Sequence, residues 1–239
     1  MPDLAPNRRD FLQRTSIAGA GLLVPVIAFA NPQKPQSSEK EKEKDSEQIS
    51  PAEDLMREHG VLNRVLLIYD EHLRRLTAKQ TFDGSVLASA ADITRHFVEE
   101  YHEKLEEDFL FPRFRKAGKL VNLVDTLLAQ HKAGRVLTAQ IRELASLATL
   151  KYVSDSDKLG DALRAFLRMY RPHEAREDTV LFPAFRSIVS AHEYDALGED
   201  FEKKEDELFG EEGFFKIVDT VADLEKKLGI YDLSQFTPK

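Results

Sequence analysis

Residues 102–114 read HEKLEEDFLFPRF, and residues 173–185 read HEAREDTVLFPAF. Both segments follow the pattern HExxE(E/D)xxLFPxF, and they lie 71 positions apart. Two further histidines, His59 and His131, are separated by nearly the same interval, 72 positions. An internal repeat of this length indicates that a helical hairpin has been duplicated, which gives a bundle with approximate two-fold symmetry.

Apolar side chains recur at alternating spacings of three and four residues along most of the chain after Ser50, as in amphipathic helices. Because the connections between these segments are short, neighbouring helices should be antiparallel. We therefore predict an all-α fold: an up-down-up-down four-helix bundle over residues 50–190, with accessory C-terminal helices in residues 191–239. The predicted helices cover about 51–78, 84–116, 120–152, a fourth segment capped by Ser154–Ser156, 193–209 and 213–228.

The composition restricts the classes of function. The 239 residues, 42% hydrophobic and 32% charged, are enough for one sizeable domain. The absence of cysteine excludes disulfides, iron–sulfur clusters and thiolate metal ligands. A net charge of −8 argues against a surface that neutralises phosphates, so we expect no nucleic-acid partner.

Residues 1–30 are typical of an export signal rather than of a folded domain. The arginine-containing segment 8–12 (RRDFL) precedes an apolar stretch that ends in Ala28-Phe29-Ala30. The arginine pair resembles a twin-arginine signal, although Asn7 and Gln13 depart from its usual residues. A retained membrane anchor is the alternative, but the apolar stretch is short for a span of about 20 residues.

Cleavage near Ala30 predicts a periplasmic or otherwise exported protein whose partner in transit is the twin-arginine export machinery. Residues 31–48 contain no large apolar side chain and alternate lysine with glutamate, so they cannot offset the entropy cost of ordering. We expect a disordered linker over residues 31–49.

Six polar side chains fall on the predicted interior of the bundle. In a helix, residues i and i+4 project to one side, so each HxxxE pair presents an imidazole and a carboxylate together. Burying such groups costs several kcal/mol per unpaired charge, and a bound cation removes that cost. Six positions are the predicted metal ligands: His59, His102, Glu106, His131, His173 and Glu177.

The donor set suggests two ions. If both glutamates bridge, they and the four imidazoles, with a shared oxo or hydroxo group, supply roughly five donors per metal and leave about one open position on each. Imidazole with bridging carboxylate and no thiolate suits iron, with manganese or zinc as the alternatives. The sequence thus favours a di-iron centre.

At residues 51–190 the chain resembles the hemerythrin-like HHE cation-binding domain, whose pattern is a single histidine, HxxxE, another histidine, and a second HxxxE near LFP. The resemblance implies that the six predicted residues ligate a non-haem di-iron centre. Oxygen-carrying hemerythrins have HxxxH on the third helix, whereas Arg135 stands four residues after His131 here. This departure implies an additional open coordination position and argues against simple reversible oxygen carriage.

Several polar residues near the predicted centre have alternative roles. Asp178 offers a carboxylate at the longer spacing that the oxygen carriers use, but symmetry with Glu106 favours Glu177. Glu99 and Tyr170 each lie one turn before the histidine of an HxxxE pair. We expect ordinary packing for both, with a ligand or supporting role as the alternative. The ExxH pair that Glu99 completes has no second copy, which argues against a ferritin-like site.

The remaining histidines have no equivalent in the repeat. His72 and His96 are expected on the surface or behind the metal ligands, and His192 is expected to be solvated or to cap a helix. Pro112 and Pro183 are expected to kink or end their helices beyond the site.

The leading functional hypothesis is an exported non-haem di-iron protein that binds O2, NO or peroxide, with possible redox turnover supported by an unknown electron donor. The alternative is a non-catalytic module that binds or stores iron or oxygen. A third reading is a structural four-helix protein whose polar core residues only set the register of the helices. Whether the protein is an enzyme stays open at this level.

Overall fold

The computed structural model describes residues 49–81, 83–146 and 153–238, apart from the side chains of residues 146, 153 and 154. Residues 50–239 belong to one compact unit. The predicted export signal (1–30) and nearly all of the predicted linker (31–49) lie outside the described residues.

Within the described part of the chain, four long helices form the bundle and two shorter ones follow. Helix α1 is Pro51–Thr77 and α3 is Val121–Ser146. Helix α2 covers residues 84–117, and α4 covers residues 153–185; each consists of consecutive α- and π-helical segments. Helices α5 (Ala191–Phe209) and α6 (Gly213–Leu228) complete the fold. The all-α prediction is confirmed.

Helix α1 begins where the sequence predicts. The Ser50 hydroxyl accepts a hydrogen bond from the Glu53 backbone N–H, and Pro51 occupies the first helical position, where its missing N–H costs nothing. Leu55, Leu62 and Leu66 are buried on one face. The cap and this apolar face together fix the start and the orientation of the helix that carries His59.

Helices α2 and α4 both change register near their predicted ligands. Segments Glu106–Leu110 and Glu177–Leu181 are π-helical, and each is followed directly by an α-helical segment that contains Pro112 or Pro183. Neither helix ends at its proline, so of the two expected effects, a kink or an end, the end is wrong. Proline lacks a backbone N–H, and each of these prolines stands where the backbone hydrogen bonds change from the π-helical to the α-helical pattern. The missing N–H therefore does not interrupt a regular α-helix.

The boundaries of the other bundle helices largely agree with the prediction. Helix α2 ends before Gly118, whose φ of 64° suits glycine. Helix α3 is described to Ser146, and the predicted continuation to residue 152 lies outside the described residues. Helix α4 already includes Val153, so the predicted cap at Ser154–Ser156 is wrong. These residues instead lie in the first turn, where Asp155 is favourably placed near unpaired N–H groups.

The four bundle helices pack in a closed ring, α1 against α2, α2 against α3, α3 against α4, and α4 against α1. Helix α6 lies across α1 and α2, and α5 packs against α1. A bidentate pair between Arg64 and Glu225, with atoms 3.0 and 2.6 Å apart, ties α6 to α1. Among the described residues, no helix combines the length and apolar character that a membrane span needs.

Candidate metal centre

All six predicted ligands meet in the interior of the bundle. They form two triads, each with ligand atoms within 4.8 Å of one another: His59, His102 and Glu106 in one, and His131, His173 and Glu177 in the other. Every one of these side chains is buried, with at most 4% of the residue exposed. One triad draws on α1 and α2, and the other on α3 and α4, as expected for a duplicated hairpin.

Each glutamate lies between histidines of both triads. The Glu177 Oε2 atom is 3.4 Å from His59 Nε2 and 3.2 Å from His173 Nε2. The two oxygens of Glu106 lie 3.9 Å from His102 Nε2 and 3.3 Å from His131 Nε2. A carboxylate placed between imidazoles of both triads would be within reach of each position if both triads held an ion.

The LFP motifs position the histidines that stand outside the HxxxE pairs. The Phe182 ring stacks on His59 at a centroid distance of 5.4 Å, and the Phe111 ring stacks on His131 at 5.5 Å. Both phenylalanines are fully buried. Each motif therefore closes the apolar wall around a histidine contributed by a different helix.

Every ligand histidine has an oxygen partner at Nδ1, the ring nitrogen that faces away from the centre. The distances are 2.7 Å for His59 with Asp178, 2.7 Å for His102 with Glu58, 3.1 Å for His131 with Glu107, and 2.9 Å for His173 with Gln130. An oxygen acceptor at Nδ1 favours the proton there and turns Nε2 toward the centre, where the Nε2 atoms of His59 and His102 lie 3.0 Å apart. The sequence pattern did not identify Glu58, Glu107 or Gln130.

The structure also separates the two candidate carboxylates on α4. Glu177 is fully buried between the imidazoles, whereas the Asp178 side chain is 34% exposed and reaches the outer nitrogen of His59. The preference for Glu177 as the central carboxylate agrees with this geometry. Asp178 orients a ligand instead.

The centre holds buried polar atoms that the described residues do not satisfy. Both oxygens of Glu106, both oxygens of Glu177 and Nε2 of His131 are buried without a hydrogen-bond partner among the described residues. The imidazole nitrogens lie near these oxygens but are not aligned to donate. Leaving several such atoms unpaired costs more than a fold of ordinary stability can absorb, and divalent cations would satisfy all of them. The donor set therefore fits a metal centre.

Electrostatics support the same conclusion. Burial and the adjacent Glu177 carboxylate raise the pKa of Glu106 well above its usual range. Burial opposes ionisation of Glu177 too, but His173 and His59 lower its pKa overall. Burial disfavours protonation of His59, yet its hydrogen bond to Asp178 and the adjacent Glu177 carboxylate raise its pKa to about 10. Without metal, the site thus retains protons where cations would otherwise neutralise the carboxylates.

A family model, the hemerythrin HHE cation-binding domain, matches residues 50–185 and again residues 122–226. The chain belongs to the hemerythrin HHE cation-binding family. It is also 44% identical over 238 residues to uncharacterized proteins of Mycobacterium tuberculosis (strains H37Rv and CDC 1551) and Mycobacterium bovis. These matches cover 99% of this chain and 93% of each relative. No solved structure matches.

In this HHE domain, Arg135 occupies the place after His131 where oxygen carriers have a further histidine. Its guanidinium pairs with Glu103 at 2.8 Å and with Glu107 at 2.7 Å. Glu103 also accepts a hydrogen bond of 2.7 Å from the Tyr170 hydroxyl. Arg135 therefore pairs with Glu107, the residue at His131 Nδ1, and this position carries a guanidinium instead of an imidazole.

Tyr170 reaches Glu103 by passing against the backbone of α3. A Cβ atom built on Gly134 would lie 2.1 Å from the Tyr170 hydroxyl oxygen. Burial raises the pKa of Glu103 to about 8, against the opposing effect of the Tyr170 hydrogen bond. Tyr170 thus has a supporting role in the HHE domain, whereas simple packing was the expectation.

The remaining candidates lie outside the centre. Glu99 pairs with Arg95 at 3.0 Å and is not part of either triad. His96 and His192 are exposed, as expected.

His72 is fully buried, and its ring nitrogens contact the Ile68 and Asp83 carbonyl oxygens at 2.8 and 3.3 Å. The expectation of a surface position or of a place behind the metal ligands is wrong for His72. It stands where α1 meets the turn that leads to α2. Whichever ring nitrogen carries the proton of the neutral ring can donate to a backbone carbonyl there.

Proposed function

We propose that this protein is a non-haem di-iron protein that binds O2, NO or peroxide at its four-histidine, two-glutamate centre. Membership of the HHE cation-binding family establishes the coarser function, a metal-binding domain. The observation that carries the proposal is the set of four buried glutamate oxygens, without hydrogen-bond partners among the described residues, held between four imidazole Nε2 atoms. Imidazole with carboxylate favours iron, and manganese and zinc are the competing occupants.

In the proposed centre, the four Nε2 atoms and the two glutamates hold the metal. Iron in such a site would supply Lewis acidity and one-electron redox chemistry to a small bound ligand. The chain's own contribution is orientation and exclusion of water: the Nδ1 partners fix each ring, and the Phe111 and Phe182 rings cover the two lone histidines. The donor count leaves about one open position per metal.

Burial of the centre supports a small ligand rather than a metabolite. All six ligand residues are at most 4% exposed, and the rings of Phe111, Phe182 and Tyr170 pack against their imidazoles. A diatomic molecule or peroxide needs little room, whereas a larger substrate would have to displace these packed side chains.

Metal analysis with absorption spectroscopy tests the proposal. We expect about two iron ions per chain and the near-ultraviolet charge-transfer bands of an oxo-bridged diferric centre. His102→Ala should lose iron and these bands, whereas His96→Ala, which removes an exposed histidine of the same helix, should keep both. A wild-type protein that remains colourless and free of iron after anaerobic reconstitution contradicts the proposal.

Rapid mixing of the reduced protein with NO or peroxide separates binding from catalysis. A single stoichiometric change indicates a binding or storage module, and repeated turnovers with an added electron donor indicate an enzyme. Repeating the turnover measurement with different reductants shows which class of electron donor supports the reaction.

We also propose that residues 1–30 direct export by the twin-arginine route, with cleavage near Ala30. The RRDFL segment and the apolar stretch after it support this. Fusing residues 1–35 to a reporter that is active only after export of folded protein tests it. Replacing Arg8 and Arg9 by lysine should abolish export, and unchanged export would contradict the twin-arginine assignment.

A further inference from the structure

The two halves of the repeat differ at one residue that contacts a ligand histidine. With the offset of 72, Glu58 corresponds to Gln130. Glu58 Oε2 lies 2.7 Å from His102 Nδ1, and Gln130 Oε1 lies 2.9 Å from His173 Nδ1. The geometry is the same, but a carboxylate supports one histidine and a neutral amide supports the other.

The other pair of Nδ1 partners is matched in type but not in surroundings. Glu107 and Asp178 correspond at the offset of 71, and both are carboxylates. Arg135 pairs with Glu107 at 2.7 Å, so the carboxylate that supports His131 is shared with a cation. The residue that corresponds to Arg135 is Asn63, which carries no charge.

Asn63 makes hydrogen bonds through a neutral amide in the place where Arg135 makes ion pairs. Its side-chain amide donates to Glu174 Oε2 at 2.6 Å and to the His59 carbonyl at 3.0 Å. Glu174 is the counterpart of Glu103, and both side chains are buried. Among the four Nδ1 partners, the halves thus differ in charge at Glu58 against Gln130, and next to them at Asn63 against Arg135.

Both differences act in the same direction. A carboxylate at Nδ1 draws the N–H proton toward itself and makes the opposite nitrogen a stronger donor to a metal, and an amide does this less. The Arg135 guanidinium withdraws negative charge from Glu107 and so weakens its effect on His131. The position formed by His59 and His102 is therefore more electron-rich than the position formed by His131 and His173.

We propose that the two metal positions of this centre are inequivalent, that the His59/His102 position fills first, and that the His131/His173 position holds its ion more weakly and exchanges it. The inference rests on the proposed two-metal centre and assigns Glu58, Gln130 and Arg135 as positioning residues. Loss of an outer partner of a ligand histidine typically costs about 10- to 100-fold in metal affinity. We expect a difference of that size between the two positions.

Occupancy after addition of one equivalent of metal tests the inference. The full-length chain is stripped of metal and labelled with 15N-histidine, and it receives one equivalent of Co²⁺ without oxygen. Co²⁺ shifts the Nδ1–H resonances of the histidines that bind it. We expect the shifted set to be His59 and His102 in the wild type, with His131 and His173 following on the second equivalent.

Two variants reverse or remove the difference in charge between positions 58 and 130, and they leave the size of the side chains nearly unchanged. In the double variant Glu58→Gln with Gln130→Glu, a larger share of the first equivalent of Co²⁺ should bind at the His131/His173 position than in the wild type. In Gln130→Glu alone, Co²⁺ should distribute more evenly between the two positions. The matched control is Glu100→Gln, which removes a carboxylate 2.7 Å from Nδ1 of the exposed His96 and should leave the filling order unchanged.

The possible failures are distinguishable. Equal occupancy of both positions in the wild type overturns the inequivalence and leaves the metal centre intact, and this measurement needs no variant. A filling order that the double variant does not alter overturns the assignment of Glu58 and Gln130. Absence of any Co²⁺ uptake by the wild type overturns the proposed metal centre and this inference with it.

Discussion

Replacing Gly134 by alanine should destabilise the bundle, although the same change normally stabilises a helix. Gly134 lies within α3 and is buried against Tyr170 of α4. The added methyl group would lie 2.1 Å from the Tyr170 hydroxyl oxygen, 2.8 Å from Cζ and 3.0 Å from Cε2. Since real methyl contacts are longer than this, the tyrosine ring must retreat by about 1 Å or α3 and α4 must separate.

The size of the effect follows from three contributions. Alanine is better than glycine in a helix interior by about 1 kcal/mol. Overpacking a buried site costs about 1–3 kcal/mol. Displacing Tyr170 also weakens its 2.7 Å hydrogen bond to Glu103 and leaves two buried polar groups poorly paired, at a cost of about 1–3 kcal/mol. The net result is a loss of about 1–5 kcal/mol in the free energy of unfolding.

Urea denaturation of the metal-free chain, followed by circular dichroism, measures this loss. Gly60→Ala is the matched control, because Gly60 lies within α1 and a Cβ there meets nothing within 4 Å. The control should gain up to about 1 kcal/mol. For a domain of this size, 1 kcal/mol corresponds to a shift of about 2–4 °C in Tm. If Gly134→Ala is as stable as Gly60→Ala, the close approach of Tyr170 does not constrain α3 and the reasoning is wrong.

The metal centre and the buried His72 give three further expectations. Chelation should lower stability by about 2.7 kcal/mol for each ion that had been present at 100 times its Kd, and an unchanged Tm in calorimetry would contradict a structural contribution of the metal. Glu106→Gln should reduce the bound metal from two ions to at most one, because a neutral amide bridges two cations poorly. The helical content should not change. Plasma mass spectrometry that still finds two ions per chain refutes this prediction. Burial lowers the pKa of His72 below 6.5, so its contribution to stability is complete above about pH 6.5 and is lost as the pH falls. Urea unfolding between pH 8 and 5 should therefore show a steeper loss for the wild type than for His72→Gln, and parallel curves would exclude the effect.

The pattern of the sequence was sufficient to predict the helices and to select the central residues. Four-three periodicity and capping residues placed the ends of α1, α5 and α6 within about two residues, because these signals are local. The doubled HxxxE motif and the 72-residue interval between His59 and His131 selected the side chains that meet, because a repeat and helical geometry together determine which residues share the interior.

The partners that orient the ligands could not be predicted from helical periodicity alone. Glu58 and Gln130 precede ligand histidines on their own helices, yet each contacts a histidine of the adjacent helix. Such cross-helix contacts depend on the rotation and separation of packed helices, which a periodic pattern does not specify. The repeat did contain a signal, since Glu58 aligns with Gln130 and Glu107 aligns with Asp178. Aligning the halves residue by residue pairs these four positions, but only the packed helices show that they contact the histidines.

The π-helical segments were missed for a related reason. A π-helical turn amounts to one extra residue in an α-helix, and its sequence has no periodic signature that separates it from the surrounding helix. The prolines of the two LFP motifs were the available local signal, and they were interpreted as sites where the helices kink or end. In the structure each proline instead follows the widened turn.

The two π-helical turns also bear on the ancestry of the molecule. Glu106–Leu110 and Glu177–Leu181 occupy the same place in the two halves, whereas Thr94–His102 is π-helical in one half alone among the described residues. If the two halves arose by duplication of one hairpin, a single insertion inherited by both copies accounts for the matching turns more simply than two independent insertions at the same site.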